Sequence, residues 1–176
     1  MLEIRAHGRG GQGAVTLVTI LAKAAGYDGK YSQAFPAFGP ERRGAPVKAF
    51  CRISDEPITL RSQVYNPDYV IVLDSSLMDL PQITEGLKDG SVVIVNSGKK
   101  VKACKKTISF DATSLALKIL GRDIVNTAML GVFAKVTKLV KLESVQKAIE
   151  EVFGGKGKMS DLNKELIKEA FEKTKV

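Results

Sequence analysis

The stretch whose residue types and spacing bear most directly on chemistry is His7-Gly8-Arg9-Gly10-Gly11-Gln12-Gly13-Ala14. Gly8, Gly10 and Gly13 fit the pattern G-x-G-x-x-G, and Gly11 adds a further glycine. Residues without a Cβ let the backbone reach positive φ and let another group come close. The stretch lies between a short alternating run, Leu2 to Ala6, and an apolar run from Ala14 to Ala25. It therefore reads as a strand, a tight turn and the start of a helix. At that start, unpaired N–H groups and the positive end of the dipole favour an anion. The plainer alternative is a turn that only lets helix and strand pack closely. A dinucleotide fingerprint needs a carboxylate at the end of the second strand, and Lys30-Tyr31-Ser32-Gln33-Ala34 ends without one. A P-loop needs Lys followed by Ser or Thr after the last glycine, and neither follows Gly13.

A second chemical stretch is Phe35-Pro36-Ala37-Phe38-Gly39-Pro40-Glu41-Arg42-Arg43-Gly44-Ala45-Pro46-Val47, punctuated throughout by Pro and Gly. An Arg guanidinium grips a carboxylate or phosphate with a planar fork. Glu41, Arg42 and Arg43 thus read either as contacts to a ligand or partner, or as an internal ion pair that fixes the loop. The glycine turn followed by FGPERRGAPV resembles the gamma subunit of the 2-oxoacid:ferredoxin oxidoreductases, most closely the pyruvate type. Asp111-Ala112-Thr113 and Asn126-Thr127-Ala128-Met129-Leu130-Gly131 agree with it, so the resemblance runs from about Ile4 to Phe153.

The resemblance implies a subunit without activity by itself. The assembled enzyme would oxidatively decarboxylate a 2-oxoacid, make an acyl-CoA and pass electrons to ferredoxin. Thiamine diphosphate, magnesium and iron–sulfur clusters would lie on the alpha, beta and delta subunits, and ferredoxin would be met through the complex. Coenzyme A enters as co-substrate, and its phosphates would suit Gly8, Arg9, Gly10, Gly11, Gln12 and Gly13 together with Glu41, Arg42 and Arg43. The Glu41-Arg42-Arg43-Gly44 run looks like the pyruvate type, and a branched-chain 2-oxoacid stays open. Two other readings remain: a purely structural assembly subunit whose loops are interface, and a stand-alone nucleotide-binding oxidoreductase.

The residues themselves show no catalytic constellation. The chain has a single histidine, His7, which reads as a hydrogen-bonded structural residue. No Ser-His-Asp or Cys-His arrangement and no paired carboxylates appear. Two cysteines, Cys51 and Cys104, give no metal-ligand or iron–sulfur spacing and read as reduced cytoplasmic thiols. The net charge of +8 is concentrated early, with seven Lys or Arg against three acids in residues 1–50, and again at Lys99 to Lys106. Such a surface suits an anionic metabolite or an acidic partner. Nucleic acid is disfavoured, because aromatics are 6% and none interleaves with the lysines. No apolar run is long enough to span a bilayer, and the first residues are no signal peptide.

The elements that must position these residues emerge from periodicity. Leu2, Ile4 and Ala6 alternate with Glu3, Arg5 and His7, a strand with one face expected to be wet or to meet another subunit. Ala14 to Ala25 is a largely buried helix, with Gly26 expected to stop it. Val47, Ala49, Cys51 and Ile53 share one face of a further strand. Tyr69 to Asp74 and Ser91 to Asn96 are apolar throughout and read as buried parallel strands. Asp74-Ser75-Ser76 reads as the cap of the next helix, and a helix is expected around Ile83 to Lys88. After a short strand, Thr107 to Phe110, the expected elements are helices: Ser114–Leu120, a run from Thr127 to Leu139 capped by Asn126, a stripe at Val145, Ala148, Ile149, Val152 and Phe153, and a final helix carrying Leu162, Leu166, Ile167 and Ala170. The expected fold is α/β, one three-layer α/β/α domain over residues 1–176. It has a mixed, mostly parallel sheet, a helical C-terminal third and a helical extension at 154–176.

Overall fold

The computed structural model describes residues 1–37, 43–155 and 157–175. Among these residues six strands form one sheet in the order β2-β3-β1-β4-β5-β6. They are β1 (Leu2–Arg9), β2 (Tyr31–Pro36), β3 (Pro46–Ser54), β4 (Tyr69–Val72), β5 (Val92–Asn96) and β6 (Lys106–Phe110). β1, β4, β5 and β6 are parallel, whereas β3 runs antiparallel between β1 and β2. The sheet is mixed and mostly parallel, as the sequence leads one to expect. The segment between β2 and β3 is too short for the crossover that a parallel pair needs, and β3 pairs antiparallel with β2.

Among the described residues five helices cover one face: α1 (Ala14–Tyr27), α2 (Ala112–Leu120), α3 (Asn126–Thr137), α4 (Leu142–Val152) and α5 (Lys158–Lys173). Ile4, Ala6, Ala49, Cys51, Ile53, Ile71, Leu73 and Ile94 point into this helical side. The opposite residues of the same strands, Val70, Val72, Val93 and Val95, pack with Leu77 and Ile83 in a smaller cluster on the other face. That second outer layer consists of two short 3-10 turns, Ser75–Leu77 and Pro81–Ile83, and their flanking loops. The helix expected around Ile83 to Lys88 does not form. Pro81 opens a single turn, and Gly86 takes φ 74 with its α-carbon so close to Tyr65 that a Cβ would lie 2.0 Å from the Tyr65 carbonyl oxygen.

Helix α1 passes Gly26 and closes one residue later, with Asp28 as its C-cap and Gly29 supplying the positive φ. It is wedged between the sheet and α4, which is why it is apolar nearly all round. Gly131 in α3 allows close packing as its sequence suggests, because a Cβ there would meet the Ile167 carbonyl oxygen of α5 at 2.4 Å. Helix α5 lies on α3 and α2 with Leu166, Ile167 and Ala170 fully buried, so it covers the edge of the core.

One expectation for β1 is corrected. Its alternate face is not wet: Arg5 is 4% and His7 3% exposed. The loop around Tyr65 and the turns at 82–85 close over that face because their carbonyl oxygens take hydrogen bonds from the Arg5 guanidinium.

Candidate functional site

The glycine turn leaves β1 and enters α1 through two left-handed residues, Gly11 at φ 97 and Gly13 at φ 81. Gln12 folds back across it. The Gln12 N–H donates to the Arg9 carbonyl at 2.9 Å, and Gln12 Oε1 accepts from the Arg9 N–H at 2.7 Å. Among the described residues no side chain caps the first turn of α1, so the orphan N–H groups expected there find no side-chain acceptor among them. Gly13 is held from behind by Asn126, the first residue of α3, whose Nδ2 donates to the Gly13 carbonyl at 3.4 Å. The sequence suggests Asn126 as the helix cap, but it is the first residue of α3, with Val125 at the cap position and no side-chain capping bond; its Oδ1 accepts the adjacent Thr127 N–H at 3.0 Å.

The second motif lies directly against the first. The Gly10 N–H donates to the Ala45 carbonyl at 2.8 Å, and the Gly44 N–H donates to the Gly10 carbonyl at 3.1 Å. Gly10 and Arg43 thereby form a parallel bridge. Two loops separated by an entire helix and strand in sequence are one surface in space. Arg43 is exposed on it and makes no ion pair among the described residues. Glu41 and Arg42 lie outside the described residues.

Arg9 has a different part. Its Nε donates to Asp74 at 3.0 Å, Nη1 to the Gly44 carbonyl at 3.1 Å and Nη2 to Ser76 Oγ at 2.8 Å. It is a strut joining the turn, the second loop and the end of β4, with its charge matched by Asp74. Burial pushes the Asp74 carboxyl up, but hydrogen bonds from Ser76, Gln12 and Arg9 outweigh that and hold it below its ordinary value. Asp74 also caps the 3-10 turn, as its sequence suggests, by accepting from the Ser76 N–H.

Beside this strut a cleft of about 220 Å³ opens at the carboxyl ends of β4 and β5, lined by Gln12, Asp74, Asn96, Ser97, Asp111 and Thr113. Open α/β sheets hold ligands in this place, outside the strand ends. Asn96 is a residue that motif and spacing do not single out. It is buried, its Nδ2 donates to the Leu73 carbonyl and to Thr113, and its Oδ1 accepts from the Ala112 N–H. The one signal in the sequence is a polar residue closing the apolar run Val92–Val95.

The sheet order also bears on the dinucleotide reading. In that fold the acid that holds a ribose hydroxyl ends the parallel strand beside β1. Here antiparallel β3 occupies that place, β2 lies one strand further out, and β2 ends in Pro36 without a carboxylate. The donor set does not fit an iron–sulfur cluster either. Cys51 packs on the helical face and Cys104 on the other, and burial pushes the Cys51 thiol up to about 12. Among the described residues no group of three His, Cys, Asp or Glu is placed to hold a metal ion.

An α/β sheet whose glycine turn is joined to an arginine-bearing loop, with no nucleophile–base pair beside it among the described residues, defines the class: an α/β domain whose two loop motifs form one surface. The comparisons with known proteins are specific. The family described as pyruvate ferredoxin/flavodoxin oxidoreductase matches residues 3–173. The pyruvate synthase subunit PorC of Methanothermobacter marburgensis is 58% identical, the match covering 99% of this chain and 98% of that protein. The pyruvate/ketoisovalerate oxidoreductases common subunit gamma of Thermococcus kodakarensis is 56% identical over 100% of this chain and 98% of its own length. The crystal structure of pyruvate oxidoreductase subunit PORC from Thermotoga maritima superposes with a TM-score of 0.86 at 40% identity, covering 99% of this chain and 97% of that one. The chain belongs to the pyruvate ferredoxin/flavodoxin oxidoreductase family, as a subunit of the gamma type. The resemblance carried by the two loop motifs and the α/β fold expected from periodicity both stand.

Proposed function

We propose that this chain serves a pyruvate:ferredoxin oxidoreductase of the cytoplasm by completing its assembly and presenting the joined glycine turn and arginine loop to the phosphates of coenzyme A. The assembled enzyme oxidises a 2-oxoacid with loss of carbon dioxide, transfers the acyl group to coenzyme A and delivers the electrons to ferredoxin. Alpha, beta and delta subunits carry the thiamine diphosphate, magnesium and iron–sulfur clusters, whose chemistry this chain's cysteines and carboxylates do not fit. The observation that supports the reading is the backbone union of Gly10 with Arg43 to Ala45. It sets an exposed arginine beside the start of α1, which no described side chain caps, and both favour an anion. Arg9 contributes by holding the two loops in register, since its donors are already engaged. Arg42, next in the chain to Arg43, is included in the proposal.

The test is Arg43→Ala in the reconstituted complex. Loss of one charge-assisted contact, about 1.5–3 kcal/mol, raises the apparent KM for coenzyme A roughly tenfold or more. The KM for pyruvate stays unchanged and gel filtration shows the complex intact. Loss of subunit assembly with unchanged coenzyme A kinetics would replace this reading with a purely structural one.

A further inference from the structure

Asp74 follows β4 at the point where the two loops meet, and its carboxylate is filled to capacity. Oδ2 accepts from Arg9 Nε at 3.0 Å and from Gln12 Nε2 at 3.2 Å. Oδ1 accepts from the Ser76 N–H at 2.9 Å and from Ser76 Oγ at 2.6 Å. An ionised carboxylate offers about four lone-pair sites, and these donors take them. Asp74 thus lines the cleft at the strand ends with no lone pair left to grip a ligand or take its proton. Its own place is fixed from behind, because the adjacent Leu73 is buried and donates its N–H to the His7 carbonyl of β1 at 2.8 Å.

Both loops hang on this side chain. The Gln12 amide nitrogen goes to Asp74, so its amide oxygen is turned to the Arg9 N–H, at 2.7 Å, and closes the glycine turn. The Arg9 Nε goes to Asp74 as well. A guanidinium is a rigid planar fork, so one engaged edge aims the others. Nη1 is thereby aimed at the Gly44 carbonyl and Nη2 at Ser76 Oγ. Gly44 in turn donates to the Gly10 carbonyl, and its neighbour Arg43 forms the bridge with Gly10.

We infer that Asp74 is a positioning residue: through Gln12 and Arg9 it holds the glycine turn and Arg43 in the one shape that receives the phosphates of coenzyme A. The inference rests on the coenzyme A reading above, and it assigns Asp74 no contact with the ligand. Asn has the shape of Asp but replaces one acceptor oxygen by a donating NH2. In Asp74→Asn that NH2 faces either the two Ser76 donors or the Arg9 and Gln12 donors, donor against donor in both rotamers. Gln12 cannot relieve this by turning its amide over, because its own NH2 would then meet the Arg9 N–H. A residue that only filled space would tolerate the exchange.

The experiment has a readout without ligand and one with it. In the full chain labelled with ¹⁵N, Asp74→Asn is expected to speed amide exchange at Arg9, Gly10 and Gln12 about tenfold or more, with the sheet resonances kept at their native shifts. In the reconstituted complex the same variant should raise the apparent KM for coenzyme A about tenfold. The KM for pyruvate, kcat at saturating coenzyme A and the assembled size should not change. Gln12→Met should cost less in the Asp74→Asn background than in the native one, because Asp74 acts through Gln12. Ser76→Ala, an exposed change that removes one bond to Asp74 and one from Arg9, should give the same pattern at about threefold. It keeps the test decisive if Asp74→Asn does not fold. Native exchange rates at the turn, fully additive costs, or loss of assembly each overturn the positioning role. A coenzyme A KM raised by Arg43→Ala but not by Asp74→Asn overturns that role alone. Unchanged in both, it overturns the coenzyme A reading and this inference with it.

Discussion

The strongest local demand in the glycine turn is at Gly13. It sits at φ 81, and a Cβ built there would lie 2.4 Å from Asn126 Nδ2 and 3.1 Å from Asn126 Cγ. Gly13→Ala therefore has two costs. The left-handed backbone costs a residue with a Cβ about 1–2 kcal/mol. Moving the Asn126 amide out of the way breaks its bonds to the Gly13 carbonyl and the Thr127 N–H, about another 0.5–1.5 kcal/mol each. The sum is on the order of 2–5 kcal/mol, a large fraction of a domain's stability. Urea unfolding of the full chain measures it directly. The partition is tested in an Asn126→Ala background, where the remaining Asn126 Cβ would be 3.5 Å from the new methyl, an ordinary contact. There Gly13→Ala should cost only the backbone part, about 1–2 kcal/mol, so the two changes are not additive. Equal costs in both backgrounds would refute the clash, and a cost near zero in the native background would refute the geometry of the turn.

Two other perturbations separate the two faces of the sheet. Gly131→Ala brings a methyl to within 2.4 Å of the Ile167 carbonyl oxygen, and backbone cannot swing aside as a side chain can, so α5 shifts from α3. Thermal unfolding should show a loss of about 1–3 kcal/mol, and no change would mean that α3 and α5 are too far apart to clash. His7, lowered from 6.5 to about 3, stays neutral in the folded chain where the unfolded chain binds a proton. Stability therefore rises with pH between those two values, and at pH 5 this linkage amounts to about 2 kcal/mol. His7→Gln should flatten the stability profile between pH 5 and 6.5 in a carboxylate-free buffer, and an unchanged slope would contradict a buried, neutral imidazole.

Much of this protein is legible in its sequence. The glycine pattern sets the strand–turn–helix, because only residues without a Cβ meet those φ values. The unbroken apolar runs at Tyr69–Leu73 and Val92–Val95 mark central parallel strands, because both of their faces have to be covered. The two loop motifs in order carry the family. What fails locally fails at punctuation: Pro81 and Gly86 break a helix that the apolar spacing around Ile83 suggests. The tertiary structure alone decides how the site is wired. Alternation in β1 shows a polar face but not that Arg5 and His7 are buried, since the loops that close over them come from beyond residue 60. An arginine in a glycine turn reads as a ligand contact until Asp74 and Ser76, from another strand end, are seen to engage it. The union of Gly10 with Arg43 depends on β3 turning back antiparallel beside β1, and no local periodicity encodes which strand becomes a neighbour. Conformation within a few residues is set by sterics and propensity. Which charges meet is set by chain crossings, and these exist only once the sheet is assembled.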